Sequence, residues 1–309
     1  MNRKAIIIYH RCDFDGIASY VIAAKELKRK YEVTPFPYNY GEPEPDEQTL
    51  SQYDLAVILD VCLSPSTMCM LQLRHEGNPK KFDCLWIDHH ESSIRLSVEK
   101  GFSLMHGYRQ SGEFAACELT WQYFRGYYGI PKAVQYLSAY DIRDMERFDW
   151  ENEVVPFQYG MRQAYNLDTE AFARDYNSGK MLETEFIARI METGKLVYRY
   201  DKTVTSKGVE QNGFPVTIGE GTPGLCCLTS RFGSLGFEDR MRREGQQVAV
   251  CVNRVDDDIY RVSMYAPYSC TLNLGRYMQE NYGGGGHAGA ASGKLSLQQF
   301  IRLLTEKKI

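Results

Sequence analysis

The residues able to do chemistry come in short runs at the ends of apolar stretches. Asp88-His89-His90 closes the run Cys84-Leu85-Trp86-Ile87, and His10-Arg11-Cys12-Asp13-Phe14-Asp15-Gly16 follows the isoleucine-rich stretch 5–9. Asp60 ends a third apolar stretch, and Asp141-Ile142-Arg143-Asp144 ends a helical one. Carboxylate and imidazole together suit a hard-to-borderline divalent cation, and histidine in the set favours Mn2+ over Mg2+. Two such ions about 3.5–4 Å apart need a bridging carboxylate and roughly three further protein ligands each. His10, Asp13, Asp15, Asp60, Asp88, His89, His90 and Asp141 meet that count, with water completing the shells. Taken singly, each run also has an ordinary reading: acids at a helix start serve as caps, and an Asp-His-His triplet suits a solvated loop.

A parallel sheet would bring the runs together without sequence proximity. Residues 5–9, 54–60 and 84–88 read as buried strands with their acids and histidines at the carboxyl ends, where open α/β sheets bind ligands. A helix is predicted over 17–30, with Ala18, Val21, Ile22 and Leu27 inward, then a strand over 31–38. Ser64-Pro65 opens a further helix. More helices are predicted over 113–127, 132–140 and 167–203, the last broken near 177–179. After Asn212-Gly213 the pattern changes to strands over 214–218, 247–252 and 259–265, with part of a helix over 237–243. Asp256-Asp257-Asp258 reads as a hairpin turn, and two helices over 271–282 and 297–306 finish the chain. The fold class is α/β. An N-terminal metal-binding domain with a mainly parallel sheet covers 1–183, a helical linker 184–212, and a smaller α/β domain 213–309.

Between the last two helices stands Gly283-Gly284-Gly285-Gly286-His287-Ala288-Gly289. It is no P-loop, because no Gly-Lys-Ser/Thr follows. Read as a loop, Gly284, Gly285 and Gly286 let the backbone approach a ligand and turn N–H groups toward an anion, with His287 as a further donor. A flexible turn is the plainer alternative.

The totals narrow the partners. The chain has 309 residues, 43% hydrophobic and 25% charged, and a formal net charge of −4. That charge excludes a general nucleic-acid coat acting through a basic surface, and favours a short substrate gripped locally. Nine cysteines without CxxC spacing argue against zinc ribbons and thioredoxin chemistry, and predict reduced, buried thiols. No run approaches the roughly 18 apolar residues of a membrane span, and the first apolar run is too short for a signal core. A cytoplasmic protein is expected. No obligate protein partner is called for, and a homodimer is compatible with the sequence.

The ordered set His10-x-x-Asp13-x-Asp15-Gly16, Asp60, Asp88-His89-His90, Asp141 and the glycine–histidine cluster resembles the DHH phosphoesterase superfamily with a DHHA1 domain. The resemblance spans nearly the whole chain. Length and layout are similar to the small members, the nanoRNases and related phosphodiesterases; RecJ-type exonucleases are longer and carry an added OB-fold domain. The resemblance implies one metal on His10, Asp13 and Asp60, and a second on Asp15, Asp60, His89 and Asp141, with Asp60 bridging. It implies that His90 faces the scissile phosphate, that Asp88 orients the imidazoles, and that Gly284, Gly285, Gly286 and His287 bind the substrate's terminal phosphate or nucleotide from across an interdomain cleft. The implied cofactors are two Mn2+ ions, with Mg2+ or Co2+ as substitutes, and a metal-bound hydroxide would attack phosphorus. The implied activity is exonuclease-like hydrolysis of short oligonucleotides to mononucleotides. Cyclic or linear dinucleotides and 3′-phosphoadenosine 5′-phosphate are the alternative substrates, and the intact ligand set disfavours a non-catalytic nucleotide sensor. Two departures stand out. The family often has an acid before Thr-Gly at its fourth motif, whereas here Asp141 and Asp144 compete, and the spacing from the helix favours Asp141. Many DHHA1 domains also place arginine where this chain has Tyr265, leaving Arg231, Arg261 and Arg276 as candidates to replace it.

Overall fold

Ile6, Ile7 and Ile8 are buried on both faces of their strand, as the interior of a parallel sheet requires. The computed structural model describes residues 3–77, 82–229, 234–266 and 270–309. The chain divides into two compact units, 1–198 and 199–309.

The first unit contains β1 (Arg3–His10), α1 (Phe14–Leu27), β2 (Tyr31–Tyr38), a short α2 (Glu47–Leu50), β3 (Leu55–Leu59), α3 (Pro65–Gly77) and β4 (Asp83–Ile87). Helices α4 (Glu91–Lys100), α5 (Ala116–Arg125), α6 (Lys132–Asp141), α7 (Val155–Tyr165) and α8 (Thr169–Asn177) follow, then α9 (Thr184–Asn212), within which the two units divide. The sheet is parallel throughout, in the order β2-β1-β3-β4. Tyr9 pairs with Leu59 and Leu59 with Ile87, so three strands end level and His10, Asp60 and Asp88 stand next in one row. Because β3 lies between β1 and β4, Asp60 falls in the middle.

On one face Ile6, Ile8, Ile58 and Trp86 pack with Met68 and Leu71 of α3 and with Phe102. Each such burial is worth roughly 1.5–3 kcal/mol against exposure. Helix α1 packs against β1 and β3. Beyond β4, residues 106–110 run alongside as an irregular edge, bridging Leu85 with His106 and Asp88 with Arg109.

Several boundaries differ from the sequence reading. Helix α1 starts at Phe14 rather than 17, because Asp13 caps it: its Oδ1 accepts the Gly16 N–H at 2.9 Å. Helix α7 was not foreseen. It is entered through a π-turn at Trp150–Val154 and carries proline in its first turn, which together blur the helical period.

The second unit contains β5 (Phe214–Ile218), β6 (Thr222–Leu228), α10 (Glu238–Glu244), β7 (Val248–Asp256), β8 (Ile259–Tyr265), α11 (Leu274–Tyr282), β9 (Gly285–His287), β10 (Ala290–Ser296) and α12 (Leu297–Glu306). Its sheet has the order β5-β6-β7-β8-β10-β9, and β6–β7 is its parallel pair. Strands β6, β9 and β10 were missed, since proline, glycine and alanine dilute their strand pattern. The glycine cluster is therefore not a loop. Gly285, Gly286 and His287 pair antiparallel with Ser292, Ala291 and Ala290 in a tight hairpin. Gly286 sits at φ +139°, and a Cβ on Gly284 would meet the Ser292 carbonyl oxygen at 1.9 Å, so glycine is required at both.

All nine cysteines are free, but Cys12, in the β1–α1 connection, is exposed rather than buried. Among the described residues, no helix is long and apolar enough to cross a membrane.

Candidate metal centre

The strand-end row becomes a cluster because β1 and α1 touch. A Cβ on Gly16 would lie 2.0 Å from the His10 carbonyl oxygen, so glycine alone allows the first turn of α1 to fold back on the end of β1. That brings Asp13 and Asp15 beside His10. The His10 Nδ1 lies 2.6 Å from Asp13 Oδ2 and 3.4 Å from Asp60 Oδ2. The His89 Nε2 lies 3.3 Å from Asp15 Oδ2, 3.2 Å from Asp60 Oδ1 and 3.2 Å from Asp141 Oδ2. Two donor sets thus meet at one carboxylate, each of whose oxygens faces a different set. Asp60 is buried and sits at φ 58°, a left-handed conformation that costs most side chains free energy and that aspartate tolerates better. Its own N–H is tied to the Ile87 carbonyl at 2.9 Å.

The supporting contacts are equally specific. Asp13 does cap α1, but with Oδ1, which leaves Oδ2 toward His10. Asp15 accepts the N–H groups of Cys117 at 2.7 Å and Ala116 at 2.9 Å, so it also fixes the start of α5, where the helix dipole favours an anion. The Asp88 Oδ1 accepts from the backbone of His89 at 2.8 Å and of His90 at 3.1 Å, and lies 2.7 Å from His90 Nδ1. This orients the His90 imidazole and fixes the backbone of both histidines. Of the two competing aspartates, Asp141 stands in the cluster. Asp144 caps the turn at Glu146 and Arg147 and lies 3.3 Å from the Arg147 guanidinium.

Burial and crowding set the charges. Burial, reinforced by Asp60, pushes Asp15 up to about 8, and burial with the Asp13 charge pushes Asp60 up to about 6. Asp141 is raised well above the usual range by burial and then by Asp15. Burial and the neighbouring His90 lower His89 to about 4, which leaves its ring neutral and its lone pair available at neutral pH. For His90 burial works downward, but the Asp88 carboxylate overrides it and holds the ring up to about 10. Likewise His10 is raised and Asp13 lowered by their mutual pairing, against burial.

A divalent cation fits this donor set. Both oxygens of Asp60 are buried and receive no well-formed hydrogen bond. Among the described residues, Asp13, Asp15 and Asp60 form ion pairs with histidines only. The donor atoms of His10, Asp13 and Asp60, and those of Asp15, His89 and Asp141, each fall within 4.8 Å of one another. Closely packed carboxylates that take up protons for want of positive charge are what a cation would displace protons from.

Sequence reasoning overlooked two neighbours. Tyr40 sets its ring 6.1 Å from that of His10, and its hydroxyl accepts the Cys62 N–H at 3.1 Å. Arg147 clasps the buried Glu118 of α5 through two bonds of 3.0 and 2.9 Å, tying α5 to the segment after α6. Neither position carries a motif.

The glycine hairpin and His287 belong to the second unit. There Tyr265 pairs with Ala290 beside the hairpin, and Arg261 pairs with Lys294 further along β8. Arg276 is engaged by Glu280 at 2.8 Å, and Arg231 lies outside the described residues.

No protein-family profile matches the chain, and no curated protein matches its sequence. Solved structures do resemble it. The DHH domain of a member of a ribosomal-protein family is 15% identical, with 100% of this chain and 88% of that one covered at a TM-score of 0.57. An exopolyphosphatase-related protein from Bacteroides fragilis is 12% identical, with 99% and 91% covered at 0.52. A pGpG-specific phosphodiesterase from Vibrio cholerae is 13% identical, with 98% and 97% covered at 0.50. At these identities the likeness concerns architecture: the chain shares its fold with that DHH domain and with the exopolyphosphatase-related protein.

Proposed function

We propose that this protein is a metal-dependent phosphoesterase that hydrolyses short oligonucleotides to mononucleotides. The observation that carries the reading is Asp60, whose two carboxylate oxygens each face a separate histidine-bearing donor set. His10, Asp13 and Asp60 would hold one divalent cation, and Asp15, Asp60, His89 and Asp141 a second, with Mn2+ the best match to mixed imidazole and carboxylate. Such a pair supplies Lewis acidity toward a phosphoryl oxygen and lowers the pKa of water.

The remaining roles fall to the chain's own groups. His90, anchored through Nδ1 on Asp88 and held protonated by it, would turn its other nitrogen to a phosphate oxygen and stabilise negative charge there. Gly284, Gly285, Gly286 and His287 would bind the terminal phosphate or nucleotide. The net charge of −4 supports a short substrate over a long polyanion. A linear dinucleotide is the shortest such substrate, and the like-folded pGpG-specific phosphodiesterase supports including it.

The test is a panel with Mn2+: RNA of about two to five residues, a long RNA, cyclic dinucleotides, 3′-phosphoadenosine 5′-phosphate and pyrophosphate. Release of mononucleotides fastest from the shortest RNAs is expected. Absence of turnover across the panel in Mn2+-loaded protein overturns the reading, and nucleotide binding without turnover would point to a sensor.

A further inference from the structure

We propose that His75, Asp83 and His106 form a second, separate metal site that takes one borderline transition-metal ion, Zn2+ being the best match. The chain has six histidines; His10, His89 and His90 belong to the strand-end cluster, and His287 to the hairpin of the second unit. The two left over come from distant points in the sequence and meet over one carboxylate. His75 is in the last turn of α3, Asp83 opens β4, and His106 lies on the irregular edge beside β4. Asp83 stands at the amino end of the strand that Asp88 follows, about 17 Å away at the usual rise.

The spacing suits tetrahedral coordination. With metal–ligand bonds of about 2.0–2.1 Å, tetrahedral ligands lie about 3.3 Å apart. The Asp83 Oδ1 is 3.3 Å from His75 Nδ1 and 3.6 Å from His106 Nδ1, and donor atoms of all three residues fall within 4.8 Å of one another. Two imidazoles and one carboxylate favour Zn2+ over Mn2+ or Mg2+. Asp83 and His106 are half-exposed, so solvent would fill the fourth position.

The frame is fixed in advance. The Asp83 Oδ1 accepts the Cys84 N–H at 2.8 Å, the Asp83 N–H is held by the Asp54 carbonyl at 2.9 Å, and the His106 carbonyl accepts the Trp86 N–H at 2.8 Å. The two rings meet edge to face with centroids 4.6 Å apart. His75 Nδ1 also lies 3.3 Å from the Phe82 carbonyl oxygen, so the competing arrangement is a metal-free hydrogen-bonded pair. A bound ion would tie α3, β4 and the edge segment together.

The full chain, stripped with chelator and dialysed against Zn2+, is compared with His106→Gln and with His75→Ala/His106→Gln by counting bound metal and by Zn2+-dependent shift in Tm. One equivalent less in both variants is expected, with a reduced Zn2+-dependent rise in Tm and unchanged circular dichroism. In an Asp60→Asn background the same further loss of one equivalent is expected. Should the double variant fail to fold, the single substitution at half-exposed His106 decides. Equal zinc content and an equal Tm shift in wild type and His106→Gln overturn the proposal.

Discussion

Asp60 Oδ1 lies 3.2 Å from His89 Nε2, while the other oxygen of the same carboxylate faces His10 at 3.4 Å. The level ends of β1, β3 and β4 impose this arrangement, since the middle strand must deliver the residue common to both sides. The consequences are testable at individual residues.

Asp60→Asn keeps the shape and removes the shared charge. Mn2+ affinity should fall at both positions, and turnover by about 10³-fold or more. Metal-free stability should hold or rise, because a crowded, buried anion is gone. Metal titration, initial rates and thermal melts check these three outcomes; a variant retaining full Mn2+ stoichiometry would contradict the shared role.

The pH dependence of metal-free stability follows from the raised carboxyls. Asp15 and Asp60 ordinarily titrate near 3.8 and are held up to about 8 and about 6 in the fold. Their contribution is complete below pH of about 4 and is lost as pH rises through those values. His90, up to about 10 from its ordinary 6.5, acts in the same direction above neutrality. Metal-free Tm should therefore fall between pH 5 and 8, and the rise in Tm produced by Mn2+ should grow over that window. A Mn2+ effect largest at pH 5 would refute the assignment.

Asp88→Asn leaves an oxygen to accept the two backbone N–H groups but removes the charge beside His90. Turnover should drop by roughly 10–100-fold with metal content nearly unchanged. The alkaline limb of the pH–rate profile should move to lower pH as His90 loses its counter-charge. An unshifted profile would reduce Asp88 to a turn cap.

Gly16→Ala places a methyl group 2.0 Å from the His10 carbonyl oxygen. The β1–α1 junction must open, at about 1–3 kcal/mol, and His10 and Asp13 separate from Asp60. Lower Tm together with weaker Mn2+ binding is expected. Loss of stability with metal affinity intact would mean that the junction does not position the ligands.

Much of the site was legible because strand ends and short motifs coincide. A buried parallel strand announces itself by a continuous apolar run, so the acids and histidines that close or follow 5–9, 54–60 and 84–88 could be placed at carboxyl ends before any strand order was known. The second unit was harder to read. Strands β6, β9 and β10 contain the proline, glycine and alanine that ordinarily signal turns, and their pairing comes from neighbours rather than local propensity. The glycine cluster accordingly read as a loop and is a hairpin.

By itself the sequence determined which side chains are available: three strand-end runs, a helix-end acid and a glycine–histidine cluster, each a local pattern set by the order of residues. Only the tertiary structure decided which of them meet. The choice of Asp141 over Asp144, the second duty of Asp15 at the start of α5, and the meeting of His75 with His106 at Asp83 all depend on through-space distances between segments far apart in the chain. Local periodicity carries no information about those distances; they follow from strand order and from what each helix packs against.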